Sequence, residues 1–329
     1  MNNTTPASSL SLTPTAKLRH GDVIVPLLGL GLAPNPPLPK DVVKAAVMEA
    51  FGAGYRHFDT AALYGTEEPL GEAIREGVRG GLIGGREEVF VTSKLWCSDA
   101  HGDRVVPALK RSLENLKLEY VDLYLIHWPI SSKPGTIEYP IKKEDFRPMN
   151  FKSVWAAMED CQKLSLTRAI GVSNFSCKKL SELLQIATIP PAVNQVEVNP
   201  VWQQKKLIEY CKTHNILVTA FSPLGAIGTF YGNNRVLESE ILMDIATTRG
   251  KTGAQVALRW AFEQGIAVVV KSFNKERMKQ NLEIFDWELS AEDHEKIRRI
   301  PQSRVCTCDD YTSPIGPFRT LEELWDGEL

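Results

Sequence analysis

Eight short runs rich in apolar and β-branched residues alternate with amphipathic stretches along almost the whole chain. In the amphipathic stretches, apolar residues recur at intervals of three and four, as at Val105, Leu109 and Leu113, which places them on one face of a helix. Eight strand–helix units within about 250 to 300 residues favour a closed (β/α)8, or TIM, barrel, with an open, doubly wound sheet as the alternative. The eight runs begin near Leu27, Tyr55, Glu88, Val121, Thr167, Ala192, Ile216 and Ala267.

The segments outside these units complete the predicted architecture. Residues 1–16 are rich in Ser and Thr, so we expect a disordered tail there, with residues 17–329 forming one domain. Residues 17–26 are typical of a β-hairpin that turns at residues 20–22, in a position to close the bottom of the barrel. At the other end, residues 303–318 are predicted to form a long irregular C-terminal loop.

Two connections are longer than a simple barrel needs. Residues 130–150 are rich in Pro and Lys, and residues 222–240 are rich in Gly. Long ordered loops in barrels are usually functional or serve as linkers. We expect the loops at residues 130–150 and 302–318 to set the size of a pocket.

Composition and charge exclude several classes of protein. Lys and Arg number 38 against 40 Asp and Glu, and this net charge of −2 gives no reason to expect nucleic acid as a partner. The longest apolar stretch, residues 23–34, is well short of the roughly 18 residues that a membrane span requires. Six cysteines in 329 residues are sparse, which is typical of a reduced, cytoplasmic protein. We expect a cytoplasmic monomer that acts on a small molecule, away from membranes.

Polar side chains occur at the ends of the second, third and fourth predicted strands. Asp59 ends the second strand and Tyr64 lies in the loop after it, Lys94 ends the third, and His127 ends the fourth. Because the carboxyl ends of barrel strands face one shared pocket, we expect the four side chains to meet. Taken singly, each also has a structural interpretation: a helix cap for Asp59, a loop anchor for Tyr64, a surface cation for Lys94 and a core histidine for His127.

These four residue types suit the transfer of a proton to a carbonyl oxygen. A free phenol titrates near about 10, so Tyr64 is a poor proton donor by itself. We expect the charge of Lys94 to lower the pKa of Tyr64, Asp59 to hold Lys94 in place, and His127 to hydrogen-bond a substrate carbonyl. The set protonates a developing alkoxide, and it needs a hydride donor from elsewhere.

Three ordered motifs carry a resemblance to a known family. They are residues 54–61 (GYRHFDTA) with Tyr64, residues 123–129 (LYLIHWP) and residues 171–175 (GVSNF). Through them the chain resembles the aldo-keto reductase superfamily over about residues 17–320. The resemblance implies NADPH-dependent reduction of an aldehyde or ketone to an alcohol, with Asp59, Tyr64, Lys94 and His127 as the catalytic tetrad and Tyr64 as the general acid.

The resemblance also implies which residues hold NADPH. The nicotinamide carboxamide would contact Ser173, Asn174 and Gln195, and the ring would stack on Phe221, where many members have Tyr. The pyrophosphate would lie along Ser222 and Leu224. The adenosine end, with its 2′-phosphate, would contact Lys271, Ser272, Arg277, Gln280 and Asn281. The alternative for this last set is a solvated charged face made of Lys271, Lys275, Arg277 and Lys279.

Within the superfamily, four segments resemble plant reductases of specialised metabolism: residues 92–97, 153–159, 174–177 and 269–273. Substrates in that group range from alkaloid ketones of the codeinone and methylecgonone type to polyketide and imino acid intermediates. Trp96 and Trp128 are predicted to wall a substrate pocket, or alternatively to pack the barrel rim, and an apolar wall suits a bulky ketone. A general role in carbonyl detoxification is a further alternative.

Lys94 and two further motifs also allow other interpretations. A strand-end lysine such as Lys94 can form the Schiff base of a barrel aldolase, and a barrel can bind NADPH only to sense it. The run Gly29-Leu30-Gly31 begins like a dinucleotide-binding turn but meets a proline at position 34. Tyr139 and Lys143 have the spacing of a dehydrogenase Tyr-x-x-x-Lys pair, which we interpret as coincidence.

No metal site is expected from the sequence. Cys306-Thr307-Cys308 offers only two thiols, with no pair of histidines nearby, so we predict free thiols in a mobile tail.

Overall fold

The computed structural model describes residues 13–19, 23–229 and 231–329. The strands are β1 (Thr15–Lys17), β2 (Ile24–Pro26), β3 (Leu28–Gly31), β4 (His57–Asp59), β5 (Phe90–Leu95), β6 (Val121–Ile126), β7 (Ser131–Ser132), β8 (Phe146–Arg147), β9 (Thr167–Ser173), β10 (Val193–Glu197), β11 (Leu217–Phe221) and β12 (Ala267–Val270). Eight of these strands are parallel and close into a barrel in the order β3-β4-β5-β6-β9-β10-β11-β12. Each of the eight predicted runs contains one barrel strand, so the closed barrel is confirmed over the open sheet.

Helices follow the barrel strands and cover them on the outside. They are α1 (Lys40–Ala53), α2 (Glu67–Arg79), α3 (Val105–Leu116), α4 (Phe151–Lys163), α5 (Cys177–Ile186), α6 (Lys205–Thr213), α7 (Glu240–Arg249), α8 (Gly253–Glu263), α9 (Lys275–Leu282), α10 (Ala291–Arg298) and α11 (Leu321–Trp325). In α3 the predicted stripe of Val105, Leu109 and Leu113 faces the core. Across the described residues, none of the helices combines the length and apolarity that a membrane crossing requires.

The amino-terminal hairpin closes the bottom of the barrel. Strands β1 and β2 pair antiparallel, and Leu18, Val23 and Val25 pack against residues from the barrel floor that include Phe90 and Leu123. The hairpin begins earlier than predicted, because residues 15 and 16, which we expected in the tail, pair with β2. Residues 1–12 of the predicted tail and the predicted turn at residues 20–22 lie outside the described residues.

Side chains cap several of the helices. Thr252 with Gln255, and Ser290 with Asp293, form capping boxes at the starts of α8 and α10. Helix α2 starts after Thr66, but the Thr66 hydroxyl does not cap it. That hydroxyl instead donates to the carbonyl of Leu32 at 2.8 Å, so it links α2 to the first barrel strand.

The run that begins like a dinucleotide-binding turn is a barrel strand. Gly29 lies in β3, where a Cβ would fall 2.7 Å from the imidazole of His57. The glycine is therefore needed for packing between neighbouring strands rather than for binding a nucleotide.

Candidate active site

Lys94 and Asp59 form a buried ion pair at the carboxyl end of the barrel. Strand β4 ends at Asp59, and neighbouring β5 carries Lys94 one residue before its end. The Lys94 ammonium donates to Asp59 Oδ1 at 2.5 Å and to the carbonyl of Thr60 at 2.9 Å, and Lys94 is 0% exposed. A charge buried this deeply needs such partners, because desolvation of an unpaired ammonium is costly.

Tyr64 and His127 complete the cluster. Tyr64 ends a short 3-10 turn after β4, and the Lys94 ammonium lies 4.8 Å from the centre of its ring. The Tyr64 hydroxyl is 3.2 Å from His127 Nε2, and the two rings meet edge to face at 5.4 Å. The structure thus brings together all four residues that the sequence placed at the strand ends.

The electrostatics of Tyr64 differ from the prediction. Burial raises the pKa of the Tyr64 phenol well above its usual value, and the negative charge of Asp59 raises it further. The expectation that Lys94 makes this phenol acidic is therefore wrong for the structure described here. The physical reason is that Asp59 neutralises the charge of Lys94, while desolvation disfavours a phenolate. Tyr64 is a neutral phenol that retains its proton.

His127 is also neutral. Burial lowers the pKa of His127 well below its usual value, and the positive charge of Lys94 acts in the same direction. A neutral imidazole has one ring N–H, and His127 Nδ1 is buried with no hydrogen-bond partner among the described residues.

The residues assigned to the carboxamide lie next to the tetrad. Asn174 donates to the backbone carbonyl of His127 at 3.0 Å and to Ser173 Oγ at 3.2 Å, while its Oδ1 is buried without a partner among the described residues. Gln195 donates to Asp59 Oδ2 at 2.7 Å, which the sequence did not suggest. Ser173 Oγ donates to the carbonyl of Gln195 at 2.8 Å, so the three predicted carboxamide residues and the predicted tetrad form one continuous network.

The next assigned residues follow the end of β11. Phe221 is the last residue of that strand and is partly buried. Ser222 has a φ of 48°, in the left-handed region, and its carbonyl accepts from Asn199 Nδ2 at 3.4 Å. Leu224 packs at the edge of the barrel core.

The cations after β12 fall into two groups. Lys275 pairs with Glu49 at 2.7 Å and Lys279 with Glu276 at 3.4 Å. Lys271 and Arg277 have no carboxylate within 4.0 Å among the described residues, and burial lowers the pKa of Lys271. Lys271 is half-buried, whereas Arg277 is exposed like Lys275 and Lys279, so the interpretation as a solvated charged face stays open for these three cations.

The other residues assigned to the adenosine end have local partners. Ser272 Oγ donates to the carbonyl of Asn274 at 3.2 Å, and the Asn281 side chain is hydrogen-bonded to Tyr55. The backbone carbonyl of Gln280 accepts from Gln255 Nε2 at 2.9 Å. These bonds hold the start of α9, and the side of α9 that packs on the barrel, in position beside Lys271 and Arg277.

An aromatic wall stands over His127. Trp96 meets the His127 ring edge to face at 5.3 Å, and Trp128 stacks on Tyr311 at 3.9 Å. Tyr139 lies 6.4 Å from Trp96 and 6.3 Å from Tyr311, between ring centres. The predicted Trp96 and Trp128 are thus present, whereas Tyr311 and Tyr139 were missed because they come from long loops without periodic patterning.

A buried carboxylate holds the C-terminal loop against the barrel. Glu197, the last residue of β10, accepts from the backbone N–H groups of Val305 and Cys306 at 3.0 and 2.8 Å. Glu197 is also a polar residue at a strand end, so the signal that predicted the tetrad could have found it. The sulfurs of Cys306 and Cys308 lie 3.0 Å apart as free thiols in packed surroundings, which corrects the expected mobile tail.

Within the described part of the chain, no three His, Cys, Asp or Glu side chains are grouped so that they could hold a metal ion.

A closed (β/α)8 barrel with this cluster at its carboxyl end defines a class of oxidoreductases, and the chain belongs to it. Residues 27–302 match the model of the Aldo/keto reductase family. The chain is 59% identical to NADPH-dependent codeinone reductase 1-4 of Papaver somniferum, covering 92% of this chain and 94% of that protein. It is also 56% identical to deoxymugineic acid synthase 1 of Zea mays, covering 93% of this chain and 97% of that protein. It is 56% identical to (1S)-1,7-diacetoxy-luvungin A aldo-keto reductase of Citrus sinensis, covering 96% of this chain and 98% of that protein.

A solved relative has the same fold. The crystal structure of a Bombyx mori aldo-keto reductase in complex with NADP superposes with a TM-score of 0.81 at 36% identity, covering 91% of this chain and 97% of that one.

Proposed function

We propose that this protein uses NADPH to reduce a bulky, mostly apolar ketone or aldehyde to an alcohol. The observation that carries the proposal is the buried cluster in which the Tyr64 hydroxyl lies 3.2 Å from neutral His127, with the Lys94–Asp59 ion pair beneath the ring. Bound NADPH supplies the hydride. Tyr64, kept protonated by burial, donates its proton to the carbonyl oxygen.

The neighbours of Tyr64 have complementary roles. The ammonium of Lys94, held by Asp59, stabilises the negative charge that forms on the phenol oxygen as its proton leaves. His127, neutral beside that oxygen, orients the carbonyl through its ring N–H. In the resting site burial and the charge of Asp59 keep the proton on Tyr64, so it is available when a carbonyl arrives.

The chain has groups that suit each end of NADPH. Asn174 Oδ1, which has no partner in the described part of the chain, is an acceptor for a carboxamide N–H, and Phe221 offers an aromatic face for the ring. Lys271 and Arg277, which no carboxylate neutralises among the described residues, suit a 2′-phosphate. The Bombyx mori enzyme that shares the fold was solved with NADP, which supports this assignment.

The aromatic wall supports the proposed substrate class. Trp96 contacts the His127 ring, and Tyr311 and Trp128 extend the same aromatic cluster, which favours a bulky ketone over a charged sugar. The similarity to codeinone reductase supports an alkaloid ketone, and an equally strong similarity to deoxymugineic acid synthase supports an imino acid intermediate. We place the enzyme in plant specialised metabolism, as a cytoplasmic monomer whose six cysteines are free.

The substitution Tyr64→Phe tests the proposal. It removes the proton donor and keeps the ring, so turnover should fall by at least about a hundredfold, the usual contribution of a general acid. NADPH should still quench protein fluorescence on binding. The assay follows NADPH depletion with alkaloid ketones, polyketide intermediates and simple aldehydes. Unchanged turnover of the Phe variant would falsify the assignment of Tyr64.

A separate experiment addresses the aldolase alternative. The Lys94 ammonium is engaged by Asp59 and the carbonyl of Thr60, which leaves it poorly placed to attack a ketone. Borohydride should therefore trap no covalent adduct when the protein is mixed with a ketone substrate, and an adduct on Lys94 would support the aldolase.

A further inference from the structure

Two long loops meet above the candidate active site: residues 130–150 after β6, and residues 302–320 after α10. The base of the first loop is fixed by the β7–β8 pair and by Ser131, whose hydroxyl donates to the carbonyl of Ala100 at 2.6 Å. Its tip, residues 133–142, is largely exposed. The contacts that hold this tip therefore decide the shape of the entrance.

Lys143 binds the C-terminal loop through its ammonium group. It donates to the backbone carbonyls of Asp309, Asp310 and Thr312 at 3.3, 3.0 and 2.6 Å. Asp309 and Asp310 belong to the 3-10 turn at residues 309–311, and Thr312 follows it. The Asp309 carbonyl also accepts a hydrogen bond from the backbone N–H of Thr312 at 3.0 Å, so Lys143 adds to the bond that closes the turn. An ammonium has three donors, so one Lys143 side chain can bond to all three carbonyls at once.

Tyr139 binds the same turn from the same loop. Its hydroxyl donates a hydrogen bond to Asp310 Oδ2 at 2.9 Å. In the opposite direction, the Ser313 hydroxyl donates a hydrogen bond to the backbone carbonyl of Lys143 at 3.3 Å. The Tyr-x-x-x-Lys spacing thus has a structural reason: both residues of the pair contact one turn about 170 residues further along the chain. We call these contacts of Tyr139 and Lys143 with residues 309–313 the latch.

The latch fixes a ring of the aromatic wall. Tyr311 lies in the bound turn, is 5% exposed, and stacks on Trp128 at 3.9 Å. Trp96, which contacts both Tyr311 and His127, is itself tied to the tip of the first loop by a bond from its Nε1 to the carbonyl of Glu138 at 3.2 Å. Movement of the tip therefore moves the surface that faces the reacting carbonyl.

We propose that Lys143 and Tyr139 are positioning residues that set the preference for bulky carbonyl substrates by holding Tyr311 in the wall. The inference rests on the proposed function, since it concerns the substrate side of the same site. A bulky substrate contacts the wall and gains from its preorganisation, whereas a small aldehyde reaches Tyr64 without it.

Lys143→Met removes the three ammonium bonds of the latch and leaves the tetrad intact. We expect KM for phenanthrenequinone, a fused-ring diketone, to rise about tenfold, as for the loss of hydrogen bonds to a charged group, with kcat within about twofold. Both constants for propanal should stay within about twofold of wild type. Tyr139→Phe, which loses one bond of the latch, should give a smaller rise, and Lys143→Arg should restore KM.

Lys142→Met is the matched control, because its ammonium makes none of the described bonds to the C-terminal loop. Hydrogen exchange provides a readout that does not depend on activity: amides in residues 133–142 and 305–313 should exchange faster in Lys143→Met than in Lys142→Met. Unchanged exchange contradicts the latch itself. Equal changes in KM for the two substrates, or none, contradict the positioning role. A wild-type protein that reduces neither compound contradicts the proposed function and leaves the exchange test standing.

Discussion

At the residue scale, Lys271 differs from the lysines around it. It is half-buried, burial lowers its pKa, and no carboxylate lies within 4.0 Å among the described residues. If it binds the 2′-phosphate, Lys271→Met should raise the dissociation constant for NADPH about 10- to 100-fold, the range for one lost charge-assisted hydrogen bond. The dissociation constant for NADH should change little, because NADH lacks that phosphate. Fluorescence quenching by the two nucleotides measures both values.

Lys275→Met is the control for this prediction. Its ammonium already pairs with Glu49 at 2.7 Å, so its loss should leave the preference between the nucleotides unchanged. A similar loss of NADPH affinity in both variants would indicate a diffuse positive field rather than a phosphate contact by Lys271.

At the scale of elements, the contact between α2 and α3 depends on Gly71. A Cβ at this position would lie 1.9 Å from the carbonyl oxygen of Leu116, the last residue of α3. Gly71→Ala therefore forces the helices apart, and we expect the free energy of unfolding to fall by about 1–3 kcal/mol, as for other overpacked sites. Urea unfolding measures the change.

Gly52 provides the opposite case. It lies on the exposed side of α1, and a Cβ there would have no neighbour within 4 Å. Gly52→Ala should raise the free energy of unfolding by up to about 1 kcal/mol, because alanine is the better helix former. Destabilisation of both variants by the same amount would show that the close approach at Gly71 is not the cause.

At the scale of the whole molecule, the last residues of the chain bind the start of α5. The Asp326 carboxylate accepts a hydrogen bond from the Lys179 ammonium and another from Ser176 Oγ, the latter at 2.5 Å. The Glu328 carboxylate accepts from the backbone N–H of Cys177 at 3.2 Å, at a helix terminus that favours negative charge. These contacts anchor the segment that follows Tyr311, so they support the wall of the candidate site from outside the barrel.

The Asp326 contact makes stability depend on pH. Burial alone would raise the pKa of Asp326, but hydrogen bonds from Lys179 and Ser176 outweigh it and leave the pKa below its usual value. The carboxylate therefore stabilises the fold above about pH 4, and that contribution is lost as the pH falls through the lowered pKa. Asp326→Asn should cost about 1–2 kcal/mol at pH 7.

Urea unfolding in steps from pH 7 to pH 3 measures this dependence. The difference between wild type and Asp326→Asn should narrow as the pH falls, and a constant difference would contradict the assignment. Lys178→Met is the control, since the Lys178 side chain is mostly exposed at 3.4 Å from Asp326 and should contribute little.

Local patterns were sufficient to predict the barrel and to find the four clustered residues. Strands buried on both faces are apolar throughout, and helices that cover them are apolar on one side, so both leave a signal within a few residues. Asp59, Lys94 and His127 follow from that signal because a closed parallel barrel brings the carboxyl ends of its strands together whatever their loops do. The order of the strands is therefore enough to predict that these side chains lie close together.

The sequence by itself determined the elements, their order and which polar residues share one end of the barrel. Only the tertiary structure decided that Tyr64 keeps its proton, because its pKa depends on burial and on the pairing of Lys94 with Asp59. It also decided which residues join Tyr139 and Lys143, since contacts between two irregular loops about 170 residues apart follow no local periodicity. Their partners are set by how both loops pack on the finished barrel.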